Sequence, residues 1–314
     1  MKIVVLDGHT VNPGDNPWDE IAKLGELTVF DRTPEELVVE RGREAEILLT
    51  NKTRLAAETL AALSALRFVS VLATGYDVVD VAAARRRGVA VSNVPEYGTD
   101  SVAQHVFALL LELCNQTGLH AAAVAGGEWT RCKDFCFWKA PLVELAGLTM
   151  GIVGFGRIGR KVMTLARTLG MRVIAGGGSH RSPDVEWREI PALFSQADVV
   201  SLHCPLTAEN ARFVDRRLLA RMKRTAFFLN TARGGLVDEA ALRDALHAAE
   251  LAGAAVDVVS KEPIDAENPL LEAPNCIITP HIAWASLAAR RRLVEITAKN
   301  IEGFLSGRPG NLVS

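Results

Sequence analysis

Three polar residues in the last third of the chain could together perform acid–base chemistry on a small acid. Arg233, Glu262 and His281 each follow a run of residues typical of a β-strand. If those strands are parallel, their carboxyl ends meet at one edge of the sheet, and the three residues converge there. An Arg can hold a carboxylate through two parallel hydrogen bonds. A His paired with a Glu is oriented and kept basic enough to move a proton near neutral pH. Taken singly, each residue also has an ordinary structural explanation.

A glycine-rich turn earlier in the chain has the spacing of a dinucleotide-binding loop. It follows a predicted strand and precedes a predicted helix at 160–168, the context that gives such a motif meaning. Gly154 permits the tight turn, Gly156 lets a pyrophosphate approach the backbone, and Gly159 lets helix and strand pack closely. The helix N-terminus would then bind the phosphates; the alternative is a glycine-rich turn without a ligand. The candidate residues are Gly154, Phe155, Gly156, Arg157, Ile158 and Gly159.

The acidic residue that usually completes this motif is missing. It is expected about 20 residues further on, where it binds the ribose hydroxyls, but the strand at 172–175 ends in three glycines that include Gly177. Ser179, His180 and Arg181 follow, and they could bind a 2′-phosphate that no carboxylate repels. The hypothesis is therefore a cofactor of NADP or NAD, with NADPH favoured. The alternative is a flexible glycine turn that still uses NADH.

Composition excludes several classes of protein. The 314 residues suggest two domains, and the formal charge of −2 leaves no basic excess for nucleic acid or an anionic membrane surface. We see no targeting signal and no membrane-spanning run. The five cysteines include no Cys-x-x-Cys pair, and Cys132 and Cys136 lack further ligands for zinc. We therefore expect a cytoplasmic protein with free thiols and no metal.

Short apolar runs alternate with helical segments, which predicts an α/β fold with parallel sheets covered on both faces. Six strands in alternation with helices are the number in a dinucleotide-binding fold. The predicted strands are residues 3–6, 47–49, 68–72 and 89–91, then 150–153, 172–175, 199–202, 226–229, 254–257 and 277–279. The predicted helices include residues 54–66, 99–113, 238–251 and 286–305.

The segment at 126–141 interrupts this alternation. It contains Trp129 and Trp138, two of the five tryptophans, and Cys132 and Cys136, two of the five cysteines. It is either an arm that packs on a partner subunit or a surface loop that folds back on its own chain.

Several ordered motifs resemble the D-isomer-specific 2-hydroxyacid dehydrogenases over nearly the whole chain. They are VLATGYDVVD (71–80), SNVPEYGTDSVAQ (92–104), GFGRIG (154–159), SLHCPLT (201–207), NTARGGLVDE (230–239), AAVDVVSKEP (254–263) and NCIITPHIAWAS (275–286). Within the family, TNKT (50–53) and DFCFW (134–138) are most similar to glycerate dehydrogenases, also called hydroxypyruvate reductases.

The resemblance implies a role for each of the three polar residues. Arg233 would bind the substrate carboxylate and polarise its carbonyl group. His281 would protonate the ketone oxygen as hydride arrives from the nicotinamide, and Glu262 would hydrogen-bond His281. The aromatic arm would insert Trp138 into the active site of a neighbouring subunit, since family members are usually dimers. We accordingly expect a homodimer.

The resemblance also implies further binding residues. Backbone groups around Thr74 and Gly75 would hold the far side of the carboxylate. Substrate choice is expected to depend on the shape of the pocket around Asn51, Lys52, Thr74 and Trp138. Asp257 would meet the nicotinamide end of the cofactor. The other residues expected along the cofactor are His203, Cys204, Pro205, Thr231, Ala232 and His281, with His203 taking no part in proton transfer.

These inferences predict two Rossmann-like, doubly wound parallel-sheet domains with a cleft between them. Residues 1–99, completed by the C-terminal helix at 286–314, would form the substrate domain, and residues 100–285 the dinucleotide-binding domain. The expected reaction reversibly reduces a small 2-keto acid, hydroxypyruvate or glyoxylate, to D-glycerate or glycolate. A dinucleotide-sensing corepressor on the same fold is the alternative. A methyltransferase is disfavoured by the Arg, Glu and His trio.

Overall fold

The computed structural model describes residues 1–178 and 181–313. The chain divides into two compact units: the first combines Met1–Gly98 with the segment that begins at Trp284, and the second is Thr99–Ala283. Each unit contains one sheet in which every pair of adjacent strands is parallel. Parallel strands need crossover connections, and here helices make most of them.

The sheet of the first unit has five strands in the order β2-β1-β3-β4-β5. They are β1 (Lys2–Val5), β2 (Glu26–Val29), β3 (Ile47–Thr50), β4 (Phe68–Val71) and β5 (Ala90–Ser92). This order belongs to the doubly wound class. Four of the strands match the predicted ones. The sequence analysis missed β2, because this edge strand is largely exposed and has no apolar run.

The sheet of the second unit has seven strands in the order β12-β11-β10-β9-β6-β7-β8. They are β6 (Thr149–Val153), β7 (Arg172–Gly176), β8 (Glu186–Trp187), β9 (Val199–Leu202), β10 (Phe227–Asn230), β11 (Gly253–Val256) and β12 (Cys276–Ile278). The order reverses between β6 and β9, as in a Rossmann fold. The predicted six strands are all present. The two-residue edge strand β8 is too short to give a sequence pattern. The predicted α/β class with two doubly wound parallel sheets is confirmed.

Eleven α-helices accompany these strands in the described residues. They are α1 (Asp19–Ala22), α2 (Val38–Gly42), α3 (Ala57–Ala62), α4 (Val81–Arg86), α5 (Thr99–Asn115), α6 (Thr117–Ala125), α7 (Arg157–Thr168), α8 (Ile190–Gln196), α9 (Arg216–Leu219), α10 (Glu239–His247) and α11 (Leu287–Leu305). The predicted helix at 54–66 is therefore too long, and α7 begins earlier than predicted. Asp238 caps α10 by accepting from the Ala241 N–H at 3.1 Å.

The second unit has an apolar core on each face of its sheet. On one face, α5 contributes Val106 and Leu110, both fully buried. In the first unit, α11 buries Leu293 and Ile301 against residues of the N-terminal strands. Within the described residues, no helix combines the length and apolar character needed to span a membrane.

Candidate active site

The three predicted acid–base residues follow three neighbouring strands of the second sheet. Arg233 follows β10, Glu262 follows β11 and His281 follows β12. The structure brings two of them together, because His281 Nδ1 lies 2.7 Å from Glu262 Oε2. An ionised carboxylate only accepts hydrogen bonds, so the imidazole proton of this contact sits on Nδ1. His281 Nε2 is the ring atom that remains for proton transfer.

His281 has an unusual backbone conformation, with φ at +55°. Left-handed conformations are uncommon for residues with a side chain and need support from their surroundings. The His281 N–H donates to the Asp257 carbonyl at 2.8 Å, while the next two N–H groups, of Ile282 and Ala283, donate to the Asp257 carboxylate at 2.9 and 2.8 Å. A single residue at the end of β11 thus holds the loop that carries the histidine.

The Asp257 side chain is itself fully buried. Burial raises the pKa of its carboxyl group, but hydrogen bonds from His105, Thr279, Ala283 and Ile282 outweigh that effect and leave the pKa below its ordinary value. The sequence analysis expected Asp257 to meet the nicotinamide. In the structure, its carboxylate oxygens accept hydrogen bonds from the protein.

Arg233 is held by the segment that follows β10. The Asn230 side chain donates to the Arg233 carbonyl at 2.9 Å and accepts from the Ala232 N–H at 3.0 Å. The next residue, Gly234, packs directly on backbone, because a Cβ built there would lie 1.9 Å from the carbonyl carbon of Val259. The Arg233 loop therefore rests against the segment that leads to Glu262.

Glu239, a residue that the sequence analysis did not single out, fixes that segment from the other side. Its carboxylate accepts from the Ser260 N–H at 2.6 Å, the Ser260 hydroxyl at 2.7 Å and the Asn268 amide at 3.0 Å. Its sequence signal was weak, since an acid in the first turn of a helix is ordinary. We find that the Glu262 loop is tied down at both ends.

The glycine loop between β6 and α7 has the shape that a dinucleotide needs. Gly154 has φ at +91°, and a Cβ there would lie 2.6 Å from the Cys204 nitrogen. A Cβ at Gly159 would lie 2.5 Å from the Gly154 carbonyl oxygen, whereas a Cβ at Gly156 would meet no atom within 4 Å. The open space at Gly156 adjoins the N-terminus of a twelve-residue helix, where phosphates bind.

The other predicted cofactor residues surround this loop or lie at neighbouring strand ends. Phe155 is buried, Arg157 and Ile158 begin α7, and the Thr231 hydroxyl oxygen is buried with no hydrogen-bond partner among the described residues. Such an orphaned polar atom suits a site that a polar ligand completes. Ala232 is partly buried and Pro205 is exposed.

His203 and Cys204 follow β9, next to the glycine loop. The His203 N–H donates to the Val153 carbonyl at 2.7 Å, and its Nε2 lies 2.8 Å from the Ser201 hydroxyl. Burial lowers the pKa of His203 to about 3, so the ring is neutral at physiological pH. Burial likewise raises the pKa of the Cys204 thiol to about 11.

Two glycines in left-handed conformations follow β7. Gly177 and Gly178 have φ at +73° and +81°. The Arg181 guanidinium lies 5.7 Å from the centre of the Trp187 ring and 4.0 Å from a carboxylate oxygen of Glu189. The predicted phosphate ligands Ser179 and His180 lie outside the described residues.

The predicted substrate residues of the first unit lie at the ends of the adjacent strands β3 and β4. The Asp7 carboxylate accepts from the Asn51 N–H at 2.7 Å and also fixes the exposed Lys52. Asn51 Oδ1 is buried without a partner among the described residues. The Thr74 hydroxyl donates to the Val94 carbonyl at 2.9 Å, and Gly75 is partly buried.

The aromatic segment presents its rings to solvent in the single chain. Phe135 is 89% exposed, Trp138 68% and Trp129 52%. The Trp129 indole N–H donates to the Phe135 carbonyl at 3.0 Å, and the Lys139 N–H donates to His120 at 3.0 Å. The segment is thus held by its own hydrogen bonds, while its apolar surface remains uncovered.

No group of three or more His, Cys, Asp or Glu side chains in the described ranges is placed to hold a metal ion. All five cysteines are free.

Comparisons with known proteins agree with this geometry. The model for the NAD binding domain of the D-isomer specific 2-hydroxyacid dehydrogenases matches residues 107–283. A hydroxypyruvate reductase from Blautia hydrogenotrophica is 47% identical over the whole of both chains. A glycerate dehydrogenase from Methylorubrum extorquens is 41% identical over 90% of this chain and 89% of its own.

A solved structure extends the comparison to a bound cofactor. An NADPH-dependent glyoxylate/hydroxypyruvate reductase from Sinorhizobium meliloti, in complex with NADP and malonate, has a TM-score of 0.86. It is 27% identical and covers all of this chain and 96% of its own. With the glycine loop and the strand-end residues, these matches identify the chain as a nicotinamide-dinucleotide-dependent oxidoreductase that belongs to the D-isomer-specific 2-hydroxyacid dehydrogenases.

Proposed function

We propose that the enzyme reduces a small 2-keto acid to the 2-hydroxy acid: hydroxypyruvate to D-glycerate, or glyoxylate to glycolate. The observation that carries the proposal is the 2.7 Å contact between His281 Nδ1 and Glu262 Oε2. With Arg233 at the next strand end, it supplies a proton donor and a carboxylate clamp. The relatives named hydroxypyruvate reductase and glycerate dehydrogenase support this substrate class.

The proposed mechanism assigns one task to each side chain. The glycine loop would hold a reduced nicotinamide dinucleotide, which would supply the hydride for the carbonyl carbon of the keto acid. His281 Nε2 gives its proton to the carbonyl oxygen, so that a hydroxyl group forms, and Glu262 stabilises the ring while it is protonated. The Arg233 guanidinium binds the carboxylate and draws electron density from the carbonyl group. In the oxidation direction His281 accepts the proton.

The proposed cofactor is NADP(H), with NAD(H) as the second choice. The glycine loop would bind the pyrophosphate, and Arg181 would pair with the 2′-phosphate. Support comes from Gly177, which stands where an acid would repel that phosphate, and from the Sinorhizobium enzyme in complex with NADP. Charge-assisted hydrogen bonds from Arg to phosphate are strong enough to decide between the two cofactors.

The two units would have different tasks. The second would be the dinucleotide-binding domain, and the first the substrate domain, with Asn51, Lys52, Thr74 and Gly75 as its substrate contacts. The exposed rings of the arm, Trp138 among them, would be covered in a homodimer, since apolar patches of this kind mark protein interfaces. Sedimentation would show a dimer, which substitution of the arm's rings by Ser would dissociate.

The decisive experiment measures initial rates of hydroxypyruvate, glyoxylate and pyruvate reduction, each with NADH and with NADPH. Faster turnover of the first two acids with NADPH supports both the reaction and the cofactor. Faster turnover with NADH retains the reaction and discards the phosphate site. Cofactor binding without turnover would favour the dinucleotide-sensing alternative.

A further inference from the structure

A histidine 174 positions before Thr279 in the sequence contacts the loop that carries His281. His105 lies on α5, and its Nε2 is 3.1 Å from the Thr279 hydroxyl oxygen and 3.4 Å from Asp257 Oδ1. Its side chain is 19% exposed, and Ala103, Val106 and Leu109 on the same helix are buried in the core of the second unit. His105 is therefore a fixed point against which the loop can be held.

The direction of these hydrogen bonds follows from counting protons. The Thr279 hydroxyl donates to Asp257 Oδ1 at 2.6 Å, and a hydroxyl has only one proton to give. Thr279 must therefore accept from His105, whose Nε2 carries a proton. The chain of donors runs from His105 to Thr279 and on to the buried carboxylate of Asp257, which His105 Nε2 also approaches directly at 3.4 Å.

The same carboxylate accepts from the N–H groups of Ile282 and Ala283, while the Asp257 carbonyl accepts from His281. We propose that His105 is a positioning residue for the reaction, which acts through Thr279 and Asp257 to keep His281 in its left-handed backbone conformation. The inference rests on the proposed role of His281 as the proton donor. His105 does not itself exchange a proton with substrate.

The positioning effect depends on the orientation of the buried Asp257 carboxylate. With His105 in place, Thr279 and both loop N–H groups meet Asp257 from fixed directions. Without it, the Thr279 hydroxyl loses its donor and can turn away, and Asp257 loses the bond that sets its plane. The imidazole ring of His281 then moves between several orientations, and only some of these orientations keep the hydrogen bond to Glu262. Misplacement of the proton donor lowers the rate of the chemical step more than it lowers the affinity for the substrate.

The kinetic test compares His105→Leu with His105→Gln, whose amide nitrogen can replace Nε2–H as the donor. We expect kcat to fall about tenfold in the Leu variant with KM for the keto acid within about twofold, because the lost interaction acts on the transition state. The Gln variant should recover most of kcat. The control is Gln104→Leu, an exposed neighbour on the same helix, which should behave as wild type.

Thr279→Val removes the next member of the chain and should match His105→Leu. The double variant should be no slower than the worse single one, since both changes break the same connection. Additive losses, or no loss in either single variant, would overturn the proposal. If the Leu variant fails to fold, Thr279→Val and His105→Gln decide the matter in the same assay.

A second readout does not depend on activity. The seven histidines can be labelled with ¹⁵N, and the signals of His281 identified by their loss in His281→Gln. We expect the His281 ring signals to shift and broaden in His105→Leu and to return in His105→Gln. Unchanged signals would refute the positioning role. Shifted signals in a protein that reduces no keto acid would leave that role intact and refute the proposed function instead.

Discussion

Two ends of the same sheet edge solve the problem of ligand binding in different ways. At β6, glycines clear space and expose backbone N–H groups. At β10 to β12, side chains that carry charge are held by other side chains: Glu262 by His281, and the His281 loop by Asp257. The end at β6 depends on the absence of a side chain at Gly154, Gly156 and Gly159. The other end depends on hydrogen bonds between residues far apart in sequence.

Substitutions at the two ends should therefore impair different functions. Adding a methyl group to the glycine end should impair cofactor binding, whereas removing a polar atom at the catalytic end should impair the chemical step. The following predictions test that division, beginning with the largest effect.

His281→Ala should lower kcat about a thousandfold, because a positioned general acid contributes between about 10² and 10⁴ to the rate. Dissociation constants for the dinucleotide, measured by fluorescence titration, should stay within about twofold of wild type. His247→Ala, which changes an exposed histidine at the end of α10, is the matched control. Near-normal turnover without His281 would remove it from the mechanism.

Gly156→Ala should weaken dinucleotide binding about thirtyfold, because the new Cβ occupies open space at the helix N-terminus where phosphate binds. Thermal stability should barely change, since no atom lies within 4 Å of that Cβ. Gly154→Ala is the contrasting variant: its Cβ would collide with the Cys204 backbone, so the melting temperature should fall as well. Equal melting temperatures for the two variants would contradict the packing argument.

Gly177→Asp should raise the dissociation constant of NADPH about tenfold, because like charges at the ribose repel a 2′-phosphate. The dissociation constant of NADH should not rise, because an acid at this position can bind the ribose hydroxyls. Gly177→Asn is the control, since Asn tolerates the left-handed conformation about as well and carries no charge. If Asn and Asp have the same effect on NADPH, backbone strain rather than charge is responsible.

The last prediction concerns the stability of the fold against acid rather than binding or turnover. The pKa of His203 is about 3 in the folded protein and 6.5 when unperturbed, so the unfolded chain binds the extra proton first. The free energy of unfolding should therefore fall as the pH drops through 6.5, by about 2 kcal/mol between pH 7 and pH 5 from this residue. His203→Gln should flatten that slope in urea titrations. The pKa of Asp257 is lowered in the folded protein, so the stability that its carboxylate contributes is lost only as the pH falls below about 4.

The sequence predicted the turn between β6 and α7 because the requirements of such a turn are local. A turn, a close approach and a helix start can all be recognised within six residues. Arg233, Glu262 and His281 were also predictable, because strand ends are recognisable and parallel topology brings them to one edge. The edge strands β2 and β8 were missed, since exposed or very short strands have no apolar pattern.

The residues that support the site could not be predicted from the sequence, for a different reason. His105 lies 174 positions from Thr279, and Glu239 lies 21 positions from Ser260. Nothing in the spacing of such pairs indicates contact, because the fold alone brings them together. The carboxylate of Asp257 shows the same limit: its position at a strand end was recognisable, but its bonds to the loop of His281 were not.

The order of segments along the chain has a consequence for biosynthesis. The second unit is continuous, so all of it leaves the ribosome before α11 does. The first unit is not, because Leu293 and Ile301 of α11 belong to the same core as Ile3 and Phe68. Part of the apolar surface of the N-terminal strands therefore stays uncovered until α11 has emerged from the ribosome. The unit synthesised first is the last to be finished, and chaperones that shelter nascent chains have this interval in which to act.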